Sequence, residues 1–250
     1  MKEGYEVIYK KPKTLTDNRM HYCPGCIHGI VHKIFMELIE EMDLQERTVG
    51  VCPVGCSVFA YDYMNVDMQE AAHGRAGAVA TAVKRMLPDR IVFSYQGDGD
   101  LAAIGTAETI HACNRGENFL FIFINNGIYG MTGGQMAPTT LNLQKTTTSP
   151  YGRETKDSGA AIKMTEIVKD LEGVAYAARV SCNTPANVRK TKRILKRALE
   201  IQEQDLGTQF VEVVSNCPSG WRCTPVESME WIKDKSIPYY PLGVFKEPGK

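Results

Sequence analysis

The stretch 91–126, IVFSYQGDGDLAAIGTAETIHACNRGENFLFIFINN, decides the fold. IVFSYQ (91–96) is an apolar, aromatic run of strand length that leads straight into Gly97-Asp98-Gly99-Asp100. The spacing that follows predicts a helix around Ala102–Cys113, and FLFIFIN (119–125) predicts a strand buried on both faces. A strand without alternating polar positions suits the interior of a parallel sheet, and a helix between two such strands is the usual crossover.

The same alternation continues outward. Apolar residues recur at helical spacing over 26–43, TVGVCPV (48–54) is a short strand ending in Gly55, and AAHGRAGAVATAVKRML (71–87) is a Gly-entered helix packed closely on a neighbour. Beyond Asn126 comes a long loop to about residue 160, rich in Gly, Thr and Pro. A loop of that length inside a compact domain usually has a task. A helix near Ile162–Leu171, a strand near Ala175–Val180, a basic helix over 186–202 and the strand QFVEVV (209–214) follow. From Cys217 the chain is Pro-rich and is expected to be irregular. The expected class is α/β, a mostly parallel sheet flanked by helices, with residues 1–250 forming a single domain.

Composition narrows the function. Lys plus Arg equals Asp plus Glu at 29 each, so no net field points to nucleic acid or an anionic membrane. The N-terminus lacks a signal-peptide apolar run, and no stretch approaches the roughly 20 apolar residues of a membrane span. A cytoplasmic protein is expected. In that compartment the eight cysteines suit metal ligation better than disulfides.

GDG at 97–99 and Asn125-Asn126 end consecutive parallel strands, so both face the crevice beyond the strands' carboxyl ends. Flanking glycines let the backbone approach a phosphate, and a carboxylate, an amide oxygen and a backbone carbonyl are the hard oxygens that Mg²⁺ takes beside diphosphate oxygens and water. Each motif alone is also an ordinary turn; together they favour the ion. The cysteines form a second constellation: HYCPGC (21–26), VGCS (54–57) and NCPSGW (216–221). A CxxC pair with two distant thiols can hold a [4Fe–4S] cluster or structural zinc, and spacing does not separate them. A zinc ribbon usually adds a second CxxC, which this chain lacks.

GDG followed one crossover later by NN resembles the thiamine-diphosphate enzymes. The resemblance implies Mg²⁺ held by the side chains of Asp98 and Asn126 and the carbonyl of Ile128, with Gly99, Asp100, Gly130 and Met131 lining the cofactor. More specifically, HYCPGC, PVGCS, HGRA (73–76), GDGDLAAIG, NNGIYGMTGGQMAPTT and CPSGW together resemble the β subunit of 2-oxoacid:ferredoxin oxidoreductases over almost the whole length. That likeness assigns Cys23, Cys26, Cys56 and Cys217 to a [4Fe–4S] cluster. It lays Val54, Gly55, Cys56 and Ser57 against thiamine diphosphate, His73 near its diphosphate with Arg75 assisting or pairing with a surface acid, and Thr132 and Gln135 over the thiazolium. Cys52 and Cys223 are the weaker candidate ligands, Cys113 and Cys182 small apolar fillers, and His21 either donates a hydrogen bond to a cluster sulfur or stands exposed. Ile27, where glycine is common, and WRCTP (221–225) depart from the pattern.

The resemblance also implies a function: CoA-dependent oxidative decarboxylation of a 2-oxoacid, with ferredoxin as electron acceptor. Partner subunits of alpha and gamma or delta type would complete the enzyme. One of them would supply the glutamate that activates the cofactor, so no catalytic residue is expected in this chain, and Glu108 is a poor substitute. The short form is most like branched-chain (2-oxoisovalerate) subunits, while pyruvate, 2-oxoglutarate and aryl pyruvates stay open. A non-redox thiamine decarboxylase or synthase subunit and a zinc-stabilised assembly subunit are the competing readings.

Overall fold

In a computed structural model, which describes residues 6–249, the chain runs through helix α1 (His28–Glu41), strand β1 (Thr48–Pro53), turn-like α2 (Ala60–Tyr63), β2 (Asp67–Ala71), α3 (Ala76–Met86) and β3 (Ile91–Gly97). A π-helical turn, Asp100–Ile104, leads into α4 (Thr106–Arg115), followed by β4 (Leu120–Asn125), a two-stranded hairpin β5 (Ile128–Tyr129) and β6 (Gln135–Met136), and the short helices α5 (Thr155–Ser158) and α6 (Met164–Val168). Then come β7 (Val174–Ser181), α7 (Pro185–Glu203), β8 (Thr208–Val214), α8 (Pro218–Trp221), α9 (Pro225–Trp231), α10 (Ile237–Tyr239) and β9 (Gly243–Lys246).

Seven strands form one sheet in the order β2-β1-β3-β4-β8-β7-β9. All pairings are parallel except the last, where β9 runs against β7. From β1 the chain moves outward to β2, then returns to the other side of β1 as β3. The strand order therefore reverses between β1 and β3, and ligand crevices of open α/β sheets lie at that point.

Strand β4 shows why the sheet is buried on both faces. Leu120, Ile122 and Ile124 pack with Phe35, Leu195 and Leu199 under α1 and α7, while Phe121 and Phe123 pack with Ala80, Ala112 and Met164 under α3, α4 and α6. The uninterrupted apolar run supplies both layers at once.

Two expectations need correction. The tail beyond Cys217 is mostly helical, with α8, α9, a π-helical turn at Ile232–Ser236 and α10, and ends in a strand. Pro218 and Pro225 stand at the first helical position, where the missing N–H costs nothing, and Thr224 and Glu227 close a capping box on α9. Prolines read as breakers here start helices. The loop after Asn126 also has its own structure, the β5–β6 hairpin and α5. The sequence pattern missed β2, an edge strand whose polar DMQEA is mostly exposed. Among the described residues no helix is long and apolar enough to cross a membrane.

Candidate functional site

A cleft of about 280 Å³ opens at the switch point. The end of β1 contributes Val54, Gly55, Cys56 and Ser57; the end of β3 contributes Asp98, Gly99 and Asp100; the segment after β4 contributes Asn126, Ile128, Gly130, Met131 and Thr132; His73 comes from the entrance to α3. Apart from Gln135 and Arg75, every residue expected to hold the cofactor or magnesium thus lines one cavity. His28, Ala103, Ile104 and Tyr129 line it too and were not singled out by the sequence.

Asp98 is 2% exposed, and burial pushes its carboxyl up to about 6 despite hydrogen bonds that work the other way. Thr139 Oγ1 donates to Asp98 Oδ2 at 2.7 Å, and the Ile128 N–H lies 3.2 Å from both Asp98 Oδ2 and Asn126 Oδ1. One amide therefore ties the carboxylate of β3 to the amide oxygen after β4. From behind, Trp221 Nε1 donates to the Asn126 carbonyl at 3.0 Å. A buried carboxylate that accepts several hydrogen bonds but has no cationic partner among the described residues is what a divalent cation would satisfy.

Asp100 works differently. Its Oδ2 accepts from the Gly74 N–H and from His73 Nδ1 at 2.7 Å, and its Oδ1 accepts from Gln96 Nε2 at 2.6 Å. Both oxygens serve the protein, so Asp100 fixes His73 and the α3 entrance, where helix N–H groups and an imidazole favour an anion. Arg75 pairs with Glu108 of α4, the surface-acid alternative. Thr132 Oγ1 donates to Gln135 Oε1 at 2.7 Å; of these two, Thr132 alone faces the cleft.

Around the cleft's floor the expected thiols converge. The sulfurs of Cys217 and Cys56 stand 3.0 and 3.6 Å from where a Cβ on Gly130 would lie. Burial pushes Cys26 up to about 11, and Cys56 and Cys217 up to about 12. Cys23 and Cys26 lie close enough to raise Cys56 and Cys217 further, and the His28 and Gly220 N–H groups donate to the sulfurs of Cys26 and Cys217. Among the described residues, no group of three or more His, Cys, Asp and Glu side chains is arranged to hold a metal ion as it stands. The other cysteines lie elsewhere: Cys52 and Cys182 sit in one core layer, Cys113 in the other, and Cys223 is half-buried beside Glu227.

The thiols come from distant parts of the chain, and Asn216 joins them. Its Oδ1 accepts from the Ile27 N–H and its Nδ2 donates to the Gly25 carbonyl, both at 3.0 Å. Gly25 has φ +77°, and any side chain there would strike Pro225, so the CxxC turn lies directly on α9. Ile27 fills the core and is fully buried, so this departure from the usual glycine leaves the thiols in place. His21 braces the Cys56 turn: its ring bonds the Tyr63 hydroxyl at 2.8 Å and donates to the Cys56 carbonyl. Asn216 is the functional neighbour the sequence did not reveal, because its partners lie nearly the whole chain away.

Residues 53–213 match the family described as thiamine pyrophosphate enzyme, C-terminal TPP binding domain. The cleft, with its acidic–amide knot beyond β3 and β4, therefore belongs to a thiamine-pyrophosphate-binding domain. Ketoisovalerate oxidoreductase subunit VorA of Methanothermobacter thermautotrophicus is 43% identical over 250 residues, covering 96% of this chain and 52% of that protein. The 2-oxoglutarate synthase subunit KorB of Methanocaldococcus jannaschii is 37% identical over 222 residues, covering 86% and 78%. The chain belongs to the 2-oxoacid:ferredoxin oxidoreductase subunits that these two exemplify. It spans about half the length of the VorA relatives, 52% and 48%. A solved 2-oxoglutarate:ferredoxin oxidoreductase from Magnetococcus marinus, with 2-oxoglutarate, coenzyme A and succinyl-CoA bound, shares the fold: TM-score 0.73 and 22% identity over 98% of this chain and 87% of that one.

Proposed function

We propose that this chain is the thiamine-diphosphate and [4Fe–4S] subunit of a 2-oxoacid:ferredoxin oxidoreductase. The observation that carries the proposal is Gly130. It lines the cleft that holds the Asp98–Asn126 knot, and the sulfurs of Cys217 and Cys56 lie 3.0 and 3.6 Å from where its Cβ would stand. Electron-rich chemistry and an electron acceptor would thus be separated by one residue without a side chain. The donor sets fit the groups: hard oxygens at Asp98, Asn126 and the Ile128 carbonyl for Mg²⁺, and four thiols, with N–H···S support at Cys26 and Cys217, for a cluster.

The reaction proposed converts a 2-oxoacid and CoA to acyl-CoA and CO₂ while two ferredoxins each take one electron. When bound, thiamine diphosphate supplies the electron sink for loss of CO₂. The chain's own residues bind and orient these groups. Asp98 supplies the negative charge toward magnesium, and the Ile128 N–H holds its oxygen beside that of Asn126. His73, fixed by Asp100, meets the diphosphate. Val54, Ile104 and Met131 are half-exposed apolar side chains at the cleft, placed to exclude water once partner subunits of alpha and gamma or delta type cover them. Those partners would bring the activating glutamate, so this chain alone is expected to be inactive, and much of the substrate pocket. The substrate proposed is a branched-chain 2-oxoacid such as 2-oxoisovalerate.

Anaerobic purification with partner subunits tests the reading. Iron and sulfide with bound thiamine diphosphate are expected. Stoichiometric zinc without thiamine binding would defeat it, and thiamine without iron would indicate a non-redox enzyme. Asp98→Ala should weaken cofactor binding strongly at modest Mg²⁺ and leave the iron in place; normal binding would remove the magnesium assignment.

A further inference from the structure

His28 opens α1 two residues after Cys26, yet its side chain lines the cleft beside Val54 and Cys56. The ring is held rigidly. Its Nδ1 lies 2.8 Å from the hydroxyl of Tyr95, which is fully buried on β3, and it stacks on Tyr22 at 4.6 Å with 6° between the planes. Tyr22 is fixed in turn through its hydroxyl, 3.0 Å from His32 Nε2. An apolar side chain could fill this volume without burying so many polar groups.

The Tyr95 contact sets the tautomer. A phenol is the stronger donor and an unprotonated imidazole nitrogen the stronger acceptor, so Tyr95 O–H donates to Nδ1 and the ring hydrogen stays on Nε2. Nε2 bonds no described residue, and His28 is among the residues that line the cleft. The hydroxyls of Ser57 and Thr132 are turned to the Pro53 carbonyl and to Gln135. In a mostly apolar pocket, a few placed donors orient the ligand.

We propose that His28 is a substrate contact whose Nε2–H donates to an oxygen of the 2-oxoacid head group, with Tyr95 as its positioning residue. This deepens the function proposed above and rests on it. Asn at position 28 reaches only as far as Nδ1: it retains the Tyr95 bond and loses the cleft-facing donor. Gln reaches toward Nε2 and restores a donor there.

The test uses the assembled enzyme, first titrated with thiamine diphosphate and Mg²⁺, then with an acylphosphonate, a 2-oxoacid mimic that does not lose CO₂. H28N should leave cofactor affinity and the visible spectrum unchanged, weaken the acylphosphonate about tenfold, the worth of one hydrogen bond, and raise KM for the 2-oxoacid. H28Q should recover part of that loss, and Y95F should show a smaller loss in the same direction. Unaltered acylphosphonate affinity in H28N overturns the inference. So does a changed spectrum with normal mimic binding, which would make the ring a partner of the thiols. Failure of the wild type to bind thiamine diphosphate defeats the underlying function as well, and is read before any variant.

Discussion

Arg179→Met is expected to cost about 3–5 kcal/mol of stability, the range for removing one partner of a buried ion pair. The Arg179 side chain is fully buried on β7. Its Nε donates to Glu212 Oε2 of β8 at 2.9 Å, its Nη1 to Glu166 Oε1 at 2.9 Å, and its Nη2 to Glu166 Oε2. Without it Glu212, itself 0% exposed, keeps only the Thr165 hydroxyl and Asn125 Nδ2. A half-buried Glu166 recovers water, so the cost falls on Glu212. Removing that charge too, in Arg179→Met/Glu212→Leu, should restore most of the loss, because the penalty lies in the orphaned carboxylate. The double variant carries a second signature. Asn125 donates to Glu212 at 2.7 Å and directly precedes Asn126, so freeing it should loosen the strand end and weaken Mg²⁺-dependent cofactor binding. Urea unfolding followed by far-UV circular dichroism gives the stabilities, and calorimetry the binding. A single variant within about 1 kcal/mol of wild type, or a double variant less stable than the single, would refute the assignment of the cost to Glu212.

Gly130→Ala places a Cβ 3.0 Å from the Cys217 sulfur, so iron and acid-labile sulfide per chain should fall after anaerobic purification; full content refutes the close packing there. Cys217→Ser should lose iron while Cys223→Ser retains it, and the reverse result would exchange their assignments. Burial holds the His32 imidazole well below its usual 6.5. The fold therefore keeps it neutral while the unfolded chain takes up a proton, and stability falls as the pH drops below 6.5, by about 1.4 kcal/mol per pH unit for one proton. His32→Phe should flatten the acid limb by that slope whatever its effect at neutral pH; equal slopes in urea titrations would rule this out.

The central crossover was legible because local pattern and tertiary role agree. The run 119–125 has no polar break, and β4 is buried on both faces; GDG and NN end strands that the sheet makes neighbours. Strand β2 was not legible because its partner is a single edge, and exposure lets Asp67, Gln69 and Glu70 mask the strand pattern. The tail was misjudged from its prolines, although Thr224 with Glu227 three residues later was a readable helix start. The identities of the cleft residues followed from motifs, but their division of labour did not. Asp100 and Asp98 are equivalent by pattern, and only the structure separates their partners: Gln96, His73 and Gly74 for Asp100, and Thr139, Gly99 and Ile128, beside Asn126, for Asp98. His28 was hidden for a related reason: it fits the apolar spacing of α1, and its cleft-facing edge depends on Tyr95 from another strand.

The thiol quartet depends on the whole sheet, and this bears on how the cofactor and the thiols are coupled. Cys56 follows β1 and Cys217 follows β8, with β3 and β4 between them in the sheet. The sulfurs can meet only across the ends of those two strands, where Asp98 and Asn126 also stand. Gly130 fills the gap after β4, while Trp221, in the helix that Cys217 opens, donates to the Asn126 carbonyl. The segment bearing Cys217 therefore also props the loop of Asn126. A displacement of Cys217 moves α8, and with it the contact that holds Asn126. The two sites share a single piece of backbone, so a change in one has a short covalent path to the other.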